Sequence, residues 1–497
     1  MIKHSILRKL NVLFYIIRKE STSLAELSQQ LNIPKRTVKE DLKNINELMQ
    51  DEFLLDNFLL SSRQGVITIH PDYQQDAVKN AYSLKLSLLK SQMIFNLCVL
   101  LITNVTISKD ELLDTLFISD AYLIKLTVQL KQFLKRYRIK IDITNDYYSL
   151  TGNELDVRLL SYILLQDSFQ SLEWPFTTVT KEQIKQMMPE EILKVSHTIS
   201  PTKRHSLYLL YQLLRSRYDH QRFLDFELPP AIEEVLELMV TQYDGACVLH
   251  ASSYEDIPAA HYRQEQLFFN FIQHIFTPDS IPYQVKIDLG RLYSLSNTGF
   301  CRFSNEIYDA FMTISKFSIS EESAHLYRYY LVLLKTLYAL VEDRFENFLD
   351  LYIPKSFFHL GTENDYIAAI RQTMSERIDD PRQAAYISSL LYSLSTSEKQ
   401  TQVTLYLQMN KNFMAIHALK SRLGAIFNSE NIYITEDYSK ADIVVTDSLE
   451  KSTTEDKLIF YFDSLNNDDA WEHLLMLIRK RYMKKREKLN FEEKLKS

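Results

Sequence analysis

A cluster of basic and hydroxyl side chains near the amino end has the spacing of a surface that binds nucleic acid. Its members are Lys35, Arg36, Thr37, Lys39 and Lys43. Lysine and arginine neutralise phosphates, and either can donate to the edge of guanine in the major groove. These five residues are therefore the first candidates for contacts with double-stranded DNA.

The segment that carries these side chains predicts a helix-turn-helix. Ser23 and Glu26 have the spacing of a capping box, which begins a short helix, and Pro34 suits the first turn of the next one. Apolar residues of this second helix recur at helical spacing, at Val38, Leu42, Ile45 and Met49. The basic residues then lie on the outer, N-terminal side, where a recognition helix meets base edges and phosphates. An ordinary helical hairpin with a solvated basic face is the alternative.

A hairpin is predicted directly after this second helix. Two β-like runs at 58–61 and 66–69 flank a short connection in which Gly65 suits a positive φ, and Arg63 lies at the tip. A hairpin in this place makes a winged helix-turn-helix, and Arg63 could reach a phosphate or the minor groove. Residues 1–50 hold nine Lys/Arg against five Asp/Glu, although the whole chain has a net charge of −7. Because phosphate neutralisation is local, an acidic chain with one basic end can bind DNA.

The same order of elements recurs between about 87 and 165. Ser108 and Glu111 again have capping-box spacing, and Ser119 is predicted to begin a long second helix with Tyr122 on its inner face. Two β-like runs around 140–143 and 147–150 predict a second hairpin.

Residues 121–140 of this second unit carry six basic and no acidic side chains. The candidates for a second DNA contact are Lys125, Lys131 and Arg136. A connector domain with a positive surface is the alternative.

Composition excludes several classes of function. The seven glycines include no GxGxxG or P-loop arrangement, and no HExxH or GxSxG motif is present. We therefore expect neither an enzyme nor a bound cofactor. Cys98, Cys247 and Cys301 form no CxxC, which fits a reducing cytoplasm and argues against a structural zinc site. No signal-peptide pattern and no run of about 18 apolar residues is found, so we expect a cytoplasmic protein without a membrane span.

The remainder of the chain changes character twice. From 178 to about 395 it is helical, and His205 and His325 each lie near the start of an apolar, Tyr-rich helix, 120 residues apart. From about 402 short strands alternate with helices, which predicts a small, mostly parallel sheet covered by helices.

These parts, in this order, resemble the Mga/AtxA family of virulence regulators from Gram-positive bacteria. The resemblance covers essentially the whole chain. It rests on the two winged units (23–70 and 106–152), on Thr-Gly-Asn-Glu at 151–154, and on Leu-Glu-Trp-Pro-Phe at 172–176.

The resemblance implies a multidomain, mainly α protein. Its parts are an N-terminal winged helix-turn-helix (1–72), a second, Mga-type one (73–170), two all-helical regulation domains of the sugar phosphotransferase system (178–285 and 286–397), a small α/β domain like enzyme IIB (402–485), and a basic tail (486–497). Family members are transcriptional regulators that bind promoter DNA and self-associate as dimers or larger assemblies. Their histidines can be phosphorylated by the phosphocarrier HPr and enzyme I, which changes oligomerisation or activity.

The resemblance places the phosphorylated histidines at His205, His274 and His325, although His197, His220, His261 or His359 could take these roles. Each could equally be a partly buried helix histidine. The loop after the first strand of the IIB-like domain (408–412) holds neither Cys nor His, so phosphotransfer there is not expected and assembly of a dimer is. The alternative for the whole chain is a sugar-system signalling or scaffold protein whose helix-turn-helix units make protein contacts.

Overall fold

The protein is described by a computed structural model that covers residues 4–62, 65–188, 199–225, 227–242, 258–297, 299–315, 319–352, 365–398, 402–409, 415–427, 431–448, 457–462 and 468–488. It is mainly helical, as the sequence predicts. The chain divides into two compact units. The first holds Met1–Cys301 and Val332–Phe357, and the second holds Arg302–Leu331 and Phe358–Ser497.

The first unit begins with a helix-turn-helix and a small sheet. Its elements are α1 (His4–Lys19), β1 (Ser21–Ser23), α2 (Leu24–Leu31), α3 (Lys35–Phe53), β2 (Leu59–Ser61) and β3 (Val66–Ile69). The strands pair antiparallel in the order β1-β3-β2. Leu13, Leu27, Ile45, Phe58 and Ile67 are buried together, so every helix and the hairpin contribute to one core. We call residues 4–69 the first module.

A second module follows, in which one additional helix, α4 (Ala77–Lys90), precedes elements in the same order. These are α5 (Met93–Thr103), β4 (Thr106–Ser108), α6 (Lys109–Leu116), α7 (Asp120–Leu134), β5 (Lys140–Thr144) and β6 (Tyr147–Thr151). The sheet order β4-β6-β5 repeats that of the first module. Both predicted hairpins are therefore confirmed. We call residues 77–151 the second module.

Helices continue the first unit. They are α8 (Glu154–Phe169), α9 (Lys181–Met187), α10 (Pro201–Asp219), α11 (Pro230–Gln242), α12 (Ala259–Phe276), α13 (Tyr283–Leu295), α14 (Gly299–Ile314), α15 (Glu321–Val341) and α16 (Phe345–Tyr352); α14 and α15 give residues to both units. Helix α8 is buried on nearly all sides, which makes it the central element behind the second module.

The second unit contains an α/β region. Its further elements are α17 (Asp365–Ser375), α18 (Pro381–Glu398), β7 (Val403–Gln408), α19 (Ala415–Ile426), β8 (Ile432–Thr435), β9 (Ile443–Thr446), β10 (Leu458–Tyr461) and α20 (Asp468–Lys488). All strand pairs are parallel, in the order β10-β9-β7-β8, so the predicted parallel sheet is confirmed. The domain boundaries given above remain predictions.

Of the described helices, none alone combines the length and apolar character needed to cross a bilayer. Only α4 and α5 taken together reach that length and composition, and they meet at a bend of 92°.

Candidate nucleic-acid interface

The predicted recognition helix is α3, and its start is set by local backbone geometry. Asn32 has a left-handed conformation (φ 53°) that ends α2, and Pro34 precedes the first residue of α3. Asparagine tolerates this conformation better than most residues, so the turn is encoded locally.

The five candidate side chains of α3 lie where the sequence places them. Lys35, Arg36, Lys39 and Lys43 are exposed, and Thr37 is half-buried. Lys43 forms an ion pair with Glu47 one turn further on. The predicted wing residue Arg63 lies outside the described residues, while Gly65 beside it has φ 79°, as predicted. Lys35, Arg36, Lys39 and Lys43 together make a basic surface on the N-terminal half of α3.

An ion pair with a buried carboxylate, on the opposite face of α3, was not predicted from the sequence. Asp41 is fully buried, and Arg8 of α1 donates to its two carboxylate oxygens at 2.6 and 2.9 Å. The Asp41 hydrogen bond raises the pKa of Arg8. Since α1 and α3 are joined through charged groups, the orientation of α3 depends on this pair.

A second polar contact attaches the hairpin to α3. The Asn46 side-chain amide donates to the carbonyl of Leu59 at 2.9 Å, and its oxygen accepts from the Leu59 amide at 2.7 Å. The position of the hairpin relative to the basic surface is thereby fixed. The only sequence signal for this contact is the polar Asn46 next to the apolar residues of α3.

The capping box predicted for α2 is only half formed. Ser23 Oγ accepts from the Glu26 amide at 3.2 Å, but the Glu26 carboxylate accepts from Tyr15 and Thr22 instead of from the Ser23 amide. The Glu26 carboxylate thus accepts hydrogen bonds from Tyr15 and Thr22 in place of the backbone amide that a capping box would supply. In the second module Ser108 and Glu111 form the complete box.

The helix-turn-helix parts of the two modules, from β1 to α3 and from β4 to α7, align along the sequence with a shift of 85 residues. This shift relates the N-caps Ser23 and Ser108, and it relates the left-handed residues Asn32 (φ 53°) and Phe117 (φ 52°) that end α2 and α6. It also relates Glu20 to Val105, each with φ 61°. The residues of α7 that correspond to the five candidates of α3 are therefore Asp120, Ala121, Tyr122, Ile124 and Val128.

The second module thus presents an apolar surface where the first presents a basic one. Phe117 is 93% exposed, Ile124 57% and Val128 53%. Tyr122 was predicted to face inward, but it is 40% exposed, because Leu123 takes the buried position. Isolated exposed apolar residues are common, whereas a group on one surface is typical of a contact site.

The predicted basic contacts of α7 lie beside this apolar surface. Lys125 and Lys131 are exposed. Arg136 lies beyond the end of the helix, with its guanidinium 5.2 Å from the ring centre of Phe133 and its carbonyl accepting from Asn347. Of the three, Lys125 is nearest to the helix start, where a recognition helix reads bases.

The Thr-Gly-Asn-Glu string joins the second module to α8. Gly152 has φ 144°, and a Cβ there would lie 2.9 Å from the Arg138 carbonyl oxygen. Asn153 caps α8 by accepting from the Leu155 amide. Glu154 accepts from Arg217 of α10 at 2.7 and 2.5 Å, and from Arg158 at 2.9 Å. The string therefore turns the chain and then anchors α8.

This anchor continues as a buried network of charges. Arg158, itself buried, donates to both oxygens of Glu265 in α12 at 2.6 and 2.9 Å. Two arginines and two carboxylates thus link α8, α10 and α12. Such pairs constrain geometry, since removing one partner leaves an unpaired buried charge.

His205 is buried behind the Glu-Trp-Pro-Phe string. Its ring lies edge-on to Trp174 with ring centres 5.6 Å apart, and neither ring nitrogen has a hydrogen-bond partner among the described residues. The Trp174 indole donates to the Val179 carbonyl at 2.7 Å, which fixes it in place. Burial, with a smaller effect of Lys181, lowers the pKa of His205 to about 4.

The other two candidate histidines differ in exposure. His274 in α12 is buried, which, with a smaller effect of Lys286, lowers its pKa to about 3. His325 is the fifth residue of α15, as His205 is of α10, and its side chain is 13% exposed, 3.7 Å from Glu321. His197 and His359 lie outside the described residues.

Comparisons with known proteins match both modules. Residues 4–56 match the family model described as the M protein trans-acting positive regulator (MGA) HTH domain, and residues 81–165 match the Mga helix-turn-helix domain. A protein of Streptococcus pneumoniae serotype 4 (strain ATCC BAA-334 / TIGR4), named "Putative trans-acting regulator", is 22% identical over 260 residues. That match covers 51% of this chain and 50% of that protein, so it spans about half the length of each.

Proposed function

We propose that this chain, whose two modules match helix-turn-helix domains of the Mga type, is a transcriptional regulator of that family that binds double-stranded promoter DNA through its first module. One observation carries the proposal. Lys35, Arg36 and Lys39 lie exposed in the first turns of α3, the second helix of a helix-turn-helix, and Asn46 attaches a hairpin to the same helix. This is the arrangement in which a recognition helix enters the major groove.

A binding titration at two salt concentrations tests this function. Purified protein is titrated with an AT-rich promoter fragment and with an unrelated duplex of equal length. Contacts with several phosphates give an affinity that falls steeply with added salt. Binding that is absent at both concentrations, or that does not change with salt, contradicts the proposal.

Regulation by the sugar phosphotransferase system is the second part of the proposal. Residues 178–285 and 286–397 would be its regulation domains, with HPr and enzyme I as partners and His205, His274 and His325 as acceptors. His205 and His325 are each the fifth residue of a helix, in α10 and in α15, and this shared position supports the proposal. Because Trp174 covers His205, we expect its phosphorylation to require displacement of the Glu-Trp-Pro-Phe string.

Phosphosite mapping tests this part. The chain is incubated with HPr, enzyme I and phosphoenolpyruvate, and phosphohistidines are located by mass spectrometry under alkaline conditions. We expect Trp174→Ala to accelerate modification of His205 and to leave that of His325 unchanged. Absence of label on all three histidines contradicts a phosphotransferase role.

Self-association through residues 402–485, which would form the IIB-like domain, completes the proposal. Among the described strands β8 pairs only with β7, which makes β8 an edge of the sheet. Tyr433 on this strand and Ile426 at the end of α19 are each more than half exposed. An exposed sheet edge with apolar side chains is a template for pairing with a second copy. Sedimentation of wild type against Tyr433→Lys tests it, and an unchanged molecular mass contradicts it.

The apolar surface of α7 favours a second candidate function for the second module. Phe117, Ile124 and Val128 suit contact with a protein better than contact with phosphates. In this alternative the chain is a signalling or scaffold protein whose helix-turn-helix units make protein contacts.

A further inference from the structure

Helix α7 is rotated about its own axis in the same way as α3. The shift of 85 residues relates three fully buried residues of α3 to three fully buried residues of α7, namely Val38 to Leu123, Ile45 to Leu130, and Met49 to Leu134. Because equivalent positions face the core of each module, equivalent positions also face outward. The outer face of α7 is therefore the face that a recognition helix directs into the major groove.

The first turns of this outer face carry a line of apolar side chains. Ala121, Ile124 and Val128 follow at spacings of three and four residues, which places them on one side of the helix. All three are exposed, and Ile124 and Val128 are each more than half exposed. In α3 the same positions hold basic residues. Apolar side chains cannot pair with a phosphate, but they can contact the C5-methyl group of thymine, which projects into the major groove.

The charges around this apolar line indicate which partner it fits. Lys125 lies beside the line and Lys131 lies one turn beyond it, and both are exposed. Residues 121–140 hold six basic and no acidic side chains, and Asp120 at the start of the helix is paired with Lys109 at 2.8 Å. Such a face is complementary to apolar groups that are bordered by negative charge. Thymine methyl groups between two phosphate backbones meet both conditions.

We propose that α7 recognises thymine in the major groove through Ala121, Ile124 and Val128, while Lys125 and Lys131 contact the flanking phosphates. This inference rests on the proposed function in DNA binding and adds to it the base that the second module selects. Helix α3 presents hydrogen-bond donors and α7 presents apolar groups. The two helices therefore select base pairs by different chemistry.

Deoxyuridine tests the contact, because it lacks the methyl group of thymidine and keeps the same hydrogen-bonding edge. The AT-rich promoter fragment is prepared once with thymidine and once with deoxyuridine at every thymidine position. The full-length chain is titrated with both duplexes at the same two salt concentrations. We expect wild type to bind the deoxyuridine duplex more weakly, by about four-fold for each methyl group in contact.

Two double variants locate the effect on α7. Ile124→Ala with Val128→Ala removes the apolar contact, and alanine favours the helical conformation, so the fold is retained. For this variant the ratio of the two affinities should fall towards one. Val78→Ala with Met476→Ala is the control, since it shortens two apolar side chains that are more than half exposed on other helices. It should keep the wild-type ratio, including any part that comes from an altered duplex shape.

The outcomes separate this inference from the function on which it rests. Salt-sensitive binding with equal affinity for the two duplexes overturns the inference and leaves the proposed function standing. An unchanged ratio in Ile124→Ala with Val128→Ala also overturns it, and a loss of self-association by that variant in sedimentation would then assign the face to protein contacts. Absence of salt-sensitive binding to either duplex overturns the proposed function, and the inference with it.

Discussion

Arg8 of α1 and Asp41 of α3 form a bidentate ion pair, with Arg8 Nε 2.6 Å from Oδ2 and Nη2 2.9 Å from Oδ1. The carboxylate is fully buried, and the arginine side chain is 25% exposed. The pair lies on the inner face of the helix whose outer face carries the basic residues. It therefore sets how the candidate DNA surface is presented.

Removing the arginine of this pair should destabilise the first module. In Arg8→Ala the Asp41 carboxylate remains buried without its partner, at a cost of about 3 kcal/mol or more. Hydrogen exchange followed by mass spectrometry should show faster exchange in α1 and α3. Arg18→Ala, at an exposed arginine of the same helix that donates to the Phe14 carbonyl, should change stability by less than about 0.5 kcal/mol. Equal exchange in the two variants would show that the pair does not hold α3.

The basic surface of α3 should be required for DNA binding. Arg36→Ala combined with Lys39→Ala should abolish binding to promoter DNA without unfolding the protein. Lys420→Ala with Lys480→Ala removes the same charge from exposed positions in the second unit and should leave affinity unchanged. Both variants are compared with wild type in one titration. Unchanged affinity of the α3 variant would exclude the first module from the mechanism.

Helix α7 should contribute less to DNA binding than α3. We expect Lys125→Ala with Lys131→Ala to lower affinity several-fold and to reduce the salt slope by about 2, because each lysine would neutralise one phosphate. Ile124→Ser with Val128→Ser changes the apolar residues of the same helix and should leave the slope unchanged. If the lysine variant binds DNA as wild type does while the serine variant loses self-association, the second module makes protein contacts.

Two glycines should respond to alanine in opposite directions. Gly152→Ala brings a Cβ to within 2.9 Å of a backbone oxygen at φ 144°, so the second module should lose stability. Gly424→Ala lies in α19 with open space around it and should stabilise that helix by about 0.5–1 kcal/mol. Local hydrogen exchange reports each effect separately. Slower exchange in Gly152→Ala would show that the turn is not strained.

Buried His205 should make the fold sensitive to acid. Its pKa is about 4 when folded and about 6.5 when unfolded, so the unfolded state binds more protons between these values. Stability therefore falls as the pH falls from 6.5 towards 4, by about 3 kcal/mol for this group. The melting temperature of His205→Gln should fall less between pH 7.5 and 4.5 than that of the wild-type protein.

His417→Gln, at an exposed position of α19, is the control for this experiment. It should follow the wild-type pH dependence. His274 remains in all three proteins and contributes in the same direction as His205. A His205→Gln variant with the full acid sensitivity would show that the buried ring is not its source.

Local patterns in the sequence were sufficient to predict the helices and strands of both modules. The N-caps Ser108 and Ser119, Gly65 at a positive φ, and the alternating strands around Asn145 and Asp146 depend on residues close in sequence. For that reason the helices, the hairpins and the exposure of Lys35 to Lys43 could be predicted without coordinates. The parallel strands of the C-terminal region followed in the same way from their apolar runs.

The tertiary structure alone decided which side chains meet across the chain. Arg8 and Asp41 are 33 residues apart, Arg158 and Glu265 are 107 apart, and Asp156 and Arg344 are 188 apart. No local period encodes such pairs, because each depends on how whole helices pack. The inward position predicted for Tyr122 was wrong for the same reason, since a turn-by-turn pattern permits either Tyr122 or Leu123 to be buried. In the structure α7 packs with Leu123 buried. Tyr122 therefore lies on the exposed apolar surface, where the first module has a basic one.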